Sequence, residues 1–302
     1  MKKIILLVML VLTATLPCQL WAAPSALLFQ TDFGLKDGAV SAMKGVAFSV
    51  SPDVRIFDIT HEIPAFNIWE GAYRLKEIAP YWPAGTVFVS VIDPGVGTER
   101  KSIVLKTRTG QYFVSPDNGT LTLIAEDLGI VEIREIDEVK YRLPGSEKSY
   151  TFHGRDLYAY AGVQLASGKI TFEEVGPVID PQKLVLIQYQ QATFDGTALL
   201  GTVPVLDIQF GNVWTNIDEN TFKQLGVQKG EKLSVQIKNV EGVVFEEVIP
   251  YVNTFGDVPE GEMLAYLNSQ LCLSFAINMG NFSETYGVYS GPEWHVKVTK
   301  AK

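Results

Sequence analysis

The stretch ALLFQTDFGLKDGAVSAMKGVAFSVSPDVRIFDI, residues 26–59, decides the fold class. Its first five residues form an apolar run bounded by Asp32 and Gly34, which is the pattern of a buried strand. Past Asp37, Val40, Met43, Ala47 and Val50 fall on one face at helical spacing, and Ser51-Pro52 ends the helix. VRIFDI is then a second strand. Working outward, Glu70 to Ile78 reads as another helix and GTVFVSVI as a third strand, which completes a βαβαβ unit. SIVLKT and QYFVS flank Arg108-Thr109-Gly110 as a hairpin, and Gly154 to Gly168 reads as a helix. After Lys183 the texture changes to alternating β-type runs: LVLIQYQ, GTVPVLDIQF, KLSVQIKNV, GVVFEEVIPYV, GVYSG and WHVKVTK. The expectation is an α/β N-terminal domain with a mostly parallel central sheet over 24–189. A smaller β-rich, barrel-like C-terminal domain follows over 190–302.

The residues before this domain read differently. Lys2 and Lys3 precede an apolar run from Ile4 to Leu16, and LWAAPSA offers small residues for cleavage after Ala22 or Ala23. That is the pattern of a signal peptide over 1–23, too short for the roughly 20 residues that span a bilayer. The expectation is an exported protein, periplasmic or secreted. Loss of the leader removes Cys18, leaving Cys272 alone and no possible intramolecular disulfide. It also removes two lysines and no acid, taking the formal charge from −9 to −11. Such a balance argues against nucleic acid and anionic membrane surfaces as partners of the mature chain, since both need concentrated Lys and Arg.

In open α/β sheets, ligands sit beyond the carboxyl ends of the strands. Asp32 and Asp37 follow the first strand, Asp58 and His61 the second, and Asp93 the third. Any one of them fits a turn or a helix cap, whereas acids gathered on one rim suggest a polar pocket. Asp93 opens DPGVGTERK, a proline- and glycine-stiffened corner that ends near Arg100. His153, in TFHGRDLYAYAG, stands just before a helix start, where a structural hydrogen bond and a catalytic role are both open. Arg155 and Asp156 fit bracing of that helix as well as ligand contact. In the second domain LDIQFGNVWTNI gathers Asp207, Phe210, Asn212, Trp214 and Asn216, the residue types that stack on and hydrogen-bond a nucleoside, or equally those of a decorated hairpin.

Taken in order, TDFGLKDGAVSAMKG, ITHEIPAFNIWEGAYRL, FVSVIDPGVGTERK, SPDNGTLT, FHGRDLYA and FGNVWTNI resemble the S-adenosyl-L-methionine hydroxide adenosyltransferases, relatives of the fluorinases and chlorinases. The resemblance implies hydrolysis of S-adenosyl-L-methionine to adenosine and methionine without a cofactor or metal. It also implies a homotrimer whose substrate site lies between the N-terminal domain of one subunit and the C-terminal domain of the next. The catalytic positions fall on Asp93, Arg100 and His153, and the substrate-binding positions on Asp32, Asp37, Phe66, Asp207, Phe210, Asn212, Trp214 and Ser269. Where halogenating relatives carry Tyr and Ser this chain has Asp93 and Gly154, and Phe66 stands at their Trp lid. Gln270 and Ile277 replace arginines near the adenine loop. A carboxylate in the pocket repels halide and favours water. Two other readings fit parts of the pattern. One is a calcium-dependent nucleoside hydrolase using Asp32, Asp37 and Asp93 as ligands, and the other is a non-catalytic periplasmic binder of S-adenosylmethionine or nucleosides.

Overall fold

The computed structural model describes residues 26–301. The expected leader at 1–23 therefore lies outside the described residues. Among those described, no helix is long and apolar enough to cross a membrane.

Strand β1 (Ala26–Thr31) lies inside a seven-stranded sheet and runs parallel to both β2 (Arg55–Thr60) and β3 (Val87–Val91). The remaining strands are β4 (Ser102–Thr107), β5 (Tyr112–Pro116), β6 (Ile130–Glu135) and the two-residue β7 (Val178–Ile179). Their spatial order is β2-β1-β3-β5-β4-β6-β7. The sheet is parallel from β2 to β5 and antiparallel from β5 to β7. The change of direction follows from the short turn between β4 and β5, which cannot hold the crossover that a parallel pair needs.

Helices cover both faces. Helix α1 (Ala39–Val50) buries Val40, Met43, Val46 and Ala47 at the expected spacing. With the helical segment that follows His153, it closes a core containing Leu27, Phe29, Val89 and Leu157. Helix α2 (Ile68–Ile78) starts where Asn67 Oδ1 accepts from Glu70 N at 3.0 Å. Together with α3 (Thr122–Leu128), it lies over the opposite core, where Phe88 and Phe113 stack at 4.6 Å. Each large side chain buried here contributes roughly 1.5–3 kcal/mol.

The C-terminal domain is two antiparallel sheets enclosing one core that includes Leu199, Val213, Phe275, Phe282 and Val298. Its strands are β8 (Thr193–Phe194), β9 (Ala198–Val203), β10 (Val205–Asp207), β11 (Asn212–Asp218), β12 (Lys232–Asn239), β13 (Gly242–Pro250), β14 (Met263–Leu267), β15 (Cys272–Ile277) and β16 (Gly291–Lys300). One sheet is β10-β11-β15-β14 and the other β13-β12-β16-β9-β8. They join at a bridge between Tyr251 and Ala265.

Three β-type runs differ from expectation, of which GVYSG contributes only Gly291, the first residue of β16. LVLIQYQ forms no strand, because side chains rather than a neighbouring strand take its amides: Val185 N donates to Asp117 Oδ1 at 3.0 Å and Ile187 N to Thr122 Oγ1 at 2.9 Å. GTVPVLDIQF splits at Pro204, which has no N–H to give a ladder. The Pro204 carbonyl instead accepts from Trp69 Nε1 at 2.8 Å, and the Leu206 carbonyl from Arg74 Nη2 at 2.9 Å. Both bonds tie α2 to the strand that carries Asp207.

Candidate functional site

Because β1 and β3 are parallel neighbours, Asp32 and Asp93 emerge from the same edge of the sheet. Asp93 begins a compact corner in which Val96 N donates to Asp93 O at 3.2 Å and Thr98 N to Gly95 O at 3.1 Å. Gly97 turns it at φ +78°, and any β-carbon there would stand 2.9 Å from the Tyr150 carbonyl. From the SPDNGTLT motif, Asn118 Nδ2 donates to Ile92 O at 2.8 Å and steadies the residue before Asp93. The corner brings Arg100 back onto Asp93 in a two-pronged pair, Nε to Oδ1 at 2.9 Å and Nη2 to Oδ2 at 2.5 Å. The two side chains are 4% and 10% exposed for Asp93 and Arg100. Burial alone would lower the Arg100 pKa, but its hydrogen bond to Asp93 prevails and raises it.

His153 joins this pair from 53 residues away, with its Nδ1 at 3.0 Å from Arg100 Nη2. It is buried at the head of a π-helical stretch, Gly154–Ala159, that runs into α4 (Tyr160–Ala166). Burial pushes the imidazole pKa below its ordinary value, and the guanidiniums of Arg100 and Arg142 push it further. The trio expected from the sequence is thus one hydrogen-bonded unit. Sequence reasoning missed the groups behind it. Arg142 Nη2 lies 3.3 Å from His153 Nε2 and donates to Glu138 Oε2 at 3.0 Å. Ser102 Oγ donates to Glu138 Oε1 at 2.8 Å and accepts from Arg100 Nη1 at 3.0 Å. No motif marks Glu138 or Arg142, which lie in an irregular loop after β6.

The other N-terminal candidates divide. Asp32 Oδ2 accepts from the amide of Phe66, an exposed residue held at φ +68°. Asp37 is exposed and accepts from Ala39 N at 2.9 Å, a capping role, while also lining a hollow of about 600 Å³ with Phe33, Thr151 and Phe152. Asp58 pairs with Lys44 at 2.6 Å and with His61, whose other ring nitrogen meets Thr31 Oγ1, so both are structural. Arg155 and Asp156 pair with each other. Asp93, Asp32 and Asp37 are engaged separately, by a guanidinium and two different amides. Among the described residues no group of three or more His, Cys, Asp or Glu is disposed to hold a metal ion. At Gly154 a β-carbon would stand 2.9 Å from the Phe33 ring, so the serine of the halogenating pattern has no room.

In the second domain Asp207, Phe210, Asn212, Trp214 and Ser269 line one hollow of about 640 Å³, with Phe255 and Tyr266 on its wall. Asn212 Nδ2 donates to Asp207 Oδ2 at 3.0 Å and fixes the acid. Gly211 permits this turn at φ +68°, where a β-carbon would overlap Asn281. Two buried donors of residues in this wall, Trp214 Nε1 and Asn268 Nδ2, have no hydrogen-bond partner among the described residues. Asn216 is excluded from the hollow: its amide oxygen accepts from Thr202 N and its Nδ2 donates to Gln190 O. The N-terminal and C-terminal hollows share no lining residue.

Comparison with known proteins finds matches to both domains. Residues 27–176 match the SAM hydroxide adenosyltransferase N-terminal domain and residues 201–295 the corresponding C-terminal domain. A relative from Methanocaldococcus jannaschii, named (R)-S-adenosyl-L-methionine hydrolase, is 37% identical over 269 residues, covering 85% of this chain and 90% of its own. A fluorinase from Nocardia brasiliensis is 31% identical over 294 residues, covering 89% and 96%. An uncharacterized conserved protein from Thermotoga maritima superposes with a TM-score of 0.82 at 35% identity, covering 91% of this chain and all of the other.

Proposed function

The chain belongs to the SAM hydroxide adenosyltransferase family, and on that premise we propose that it is an S-adenosyl-L-methionine hydrolase that forms adenosine and L-methionine. The observation that carries this reading is the hydrogen-bonded trio of Asp93, Arg100 and His153. In the reaction a water oxygen bonds to ribose C5′ while the C5′–S bond breaks. The electron pair goes to sulfur, which leaves as the neutral thioether of methionine, and one proton is released. A sulfonium needs no acid to leave, so catalysis consists of holding and polarising one water in line with the bond that breaks. The Asp93–Arg100 pair supplies an acceptor and a donor at fixed separation, with neutral His153 beside them. The carboxylate disfavours halide as the nucleophile.

Asp32 retains Oδ1 for a ribose hydroxyl while Oδ2 serves Phe66. In the second domain Asp207, Phe210, Asn212, Trp214 and Ser269 would receive the nucleoside and the methionine group, and on the N-terminal side Asp37 and Phe66 would border it. Separate hollows in one chain favour a site completed by a second copy, in keeping with a homotrimer. The relatives' name specifies the (R) form, so both sulfonium epimers belong in the assay. The leader pattern supports export to the periplasm or beyond. The test is chromatography of products from the purified mature protein. Adenosine and methionine in equal amounts from wild type and none from Asp93→Ala are expected, and full activity in that variant would remove Asp93 from the mechanism.

A further inference from the structure

Both ring nitrogens of His153 face guanidinium donors: Nδ1 is 3.0 Å from Arg100 Nη2, and Nε2 is 3.3 Å from Arg142 Nη2. A neutral imidazole has one acceptor nitrogen. The two guanidiniums therefore compete for the ring's single lone pair, and the contact at Nδ1 is the shorter. Each guanidinium spends a second N–H of the same Nη2 on a carboxylate, Arg100 on Asp93 and Arg142 on Glu138. Ser102 closes the circuit. Its single hydroxyl hydrogen goes to Glu138, so Arg100 Nη1 and the Tyr158 hydroxyl both donate to its oxygen. The result is a circuit of close polar contacts, Arg100 to Ser102 to Glu138 to Arg142 to His153 and back to Arg100, with Asp93 clamped at one corner and only one guanidinium able to donate to the neutral imidazole at a time.

We propose that Arg142, aimed by Glu138, is a positioning residue that keeps His153 neutral beside Arg100. The proposal rests on the hydrolase reading for its catalytic meaning but not for its test. A proton on His153 would set a third cation between two guanidiniums in a buried site, where such repulsion is much larger than in water. The charged groups facing the ring are Arg100 and Asp93 from the corner after β3, and Arg142 and Glu138 from the loop after β6. Arg155, on the ring's own helix, is instead paired with Asp156 and lies over the Phe152 ring. His153 therefore stays uncharged beside the Asp93–Arg100 pair, and an imidazolium has no place in the resting site. Arg142 lends this constraint, and Glu138 keeps Arg142 aimed while softening its charge.

The two residues act on the imidazole with opposite sign. Arg142→Gln removes a positive neighbour, so the midpoint of His153 protonation moves up. Glu138→Gln removes a negative one, so the midpoint moves down. Damage to the loop would move both variants the same way. The experiment is NMR titration of the imidazoles in the full mature protein, with His61 and His295 as internal references, alongside the pH profile of kcat/KM. Opposite displacements of the His153 midpoint, retention of the low midpoint in Arg142→Lys, and an acid limb that follows the midpoint are expected. At the pH plateau Arg142→Gln should lose on the order of ten-fold in kcat with KM changed less than about two-fold. Unmoved midpoints, or midpoints moving together, would overturn the proposal. The titration gives its answer even if another substrate is found, and Glu138→Gln and Arg142→Lys suffice should Arg142→Gln fail to fold.

Discussion

Asp32 Oδ2 accepts from the backbone amide of Phe66 at 2.8 Å, and Phe66 is one of three non-glycine residues in the described chain with positive φ. The strained backbone, on the order of 1–3 kcal/mol for such a residue, is thus anchored by the same carboxylate assigned to the ribose. Asp32→Ala should act twice. KM should rise by about ten-fold or more as a charged hydrogen bond to substrate is lost, and thermal stability should fall by about 1 kcal/mol as the Phe66 loop loses its anchor. Asp32→Asn keeps an oxygen for the amide and should recover the stability without the KM. Kinetics and melting curves for the two variants check this; equal KM in all three proteins would separate Asp32 from the substrate.

Gly154 packs against the Phe33 ring with no space for a β-carbon. Gly154→Ser should lower stability by roughly 1–3 kcal/mol through overpacking and should bring no halide incorporation. A stable variant yielding halogenated nucleoside would show that the Phe33 wall yields and that Asp93 does not exclude halide.

The His153 pKa lies below the ordinary imidazole value of 6.5, through burial first and then Arg100 and Arg142. Two consequences follow in wild type. Activity that needs a neutral imidazole should persist below pH 6.5 and decline only as pH falls through the lowered value. Folding stability contributed by this group is full above the unfolded-state value and is lost as pH falls through the window down to the folded one, because there the unfolded chain binds a proton that the native site refuses. An acid limb of kcat/KM at or above pH 6.5 would contradict the first.

If the site is shared between copies, two inactive variants can complement. Asp93→Ala spoils the N-terminal half-site and Asp207→Ala the C-terminal one. Mixed by unfolding and refolding together, they should recover up to about a quarter of wild-type activity by random assortment in a closed ring. No recovery from well-folded mixed assemblies would mean that each chain completes its own site.

The parts legible in the sequence were those encoded locally. Val40, Met43 and Ala47 mark α1 by spacing alone and are buried as expected. Asp93 and Arg100 are joined by a turn whose glycines and proline announce it. What was not legible depends on distant partners. LVLIQYQ alternates like a strand, yet its amides belong to Asp117 and Thr122, 68 and 65 residues earlier in the chain. Asn216 looked like Asn212 in the same motif, but its amide is spent on Thr202 and Gln190. Glu138 and Arg142 sit in DEVKYRLPG, a loop whose composition is that of any solvated turn. Only the closure of the domain sets them against His153.

The most direct measurement is the fate of isotopic oxygen. The purified protein is incubated with S-adenosyl-L-methionine in ¹⁸O-labelled water, and the products are weighed by mass spectrometry. One labelled oxygen at the 5′ position of adenosine, with unlabelled methionine released in equal amount, is the result that water attack at C5′ beside Asp93, Arg100 and His153 requires. Unlabelled adenosine, or adenine or methylthioadenosine in its place, would contradict it.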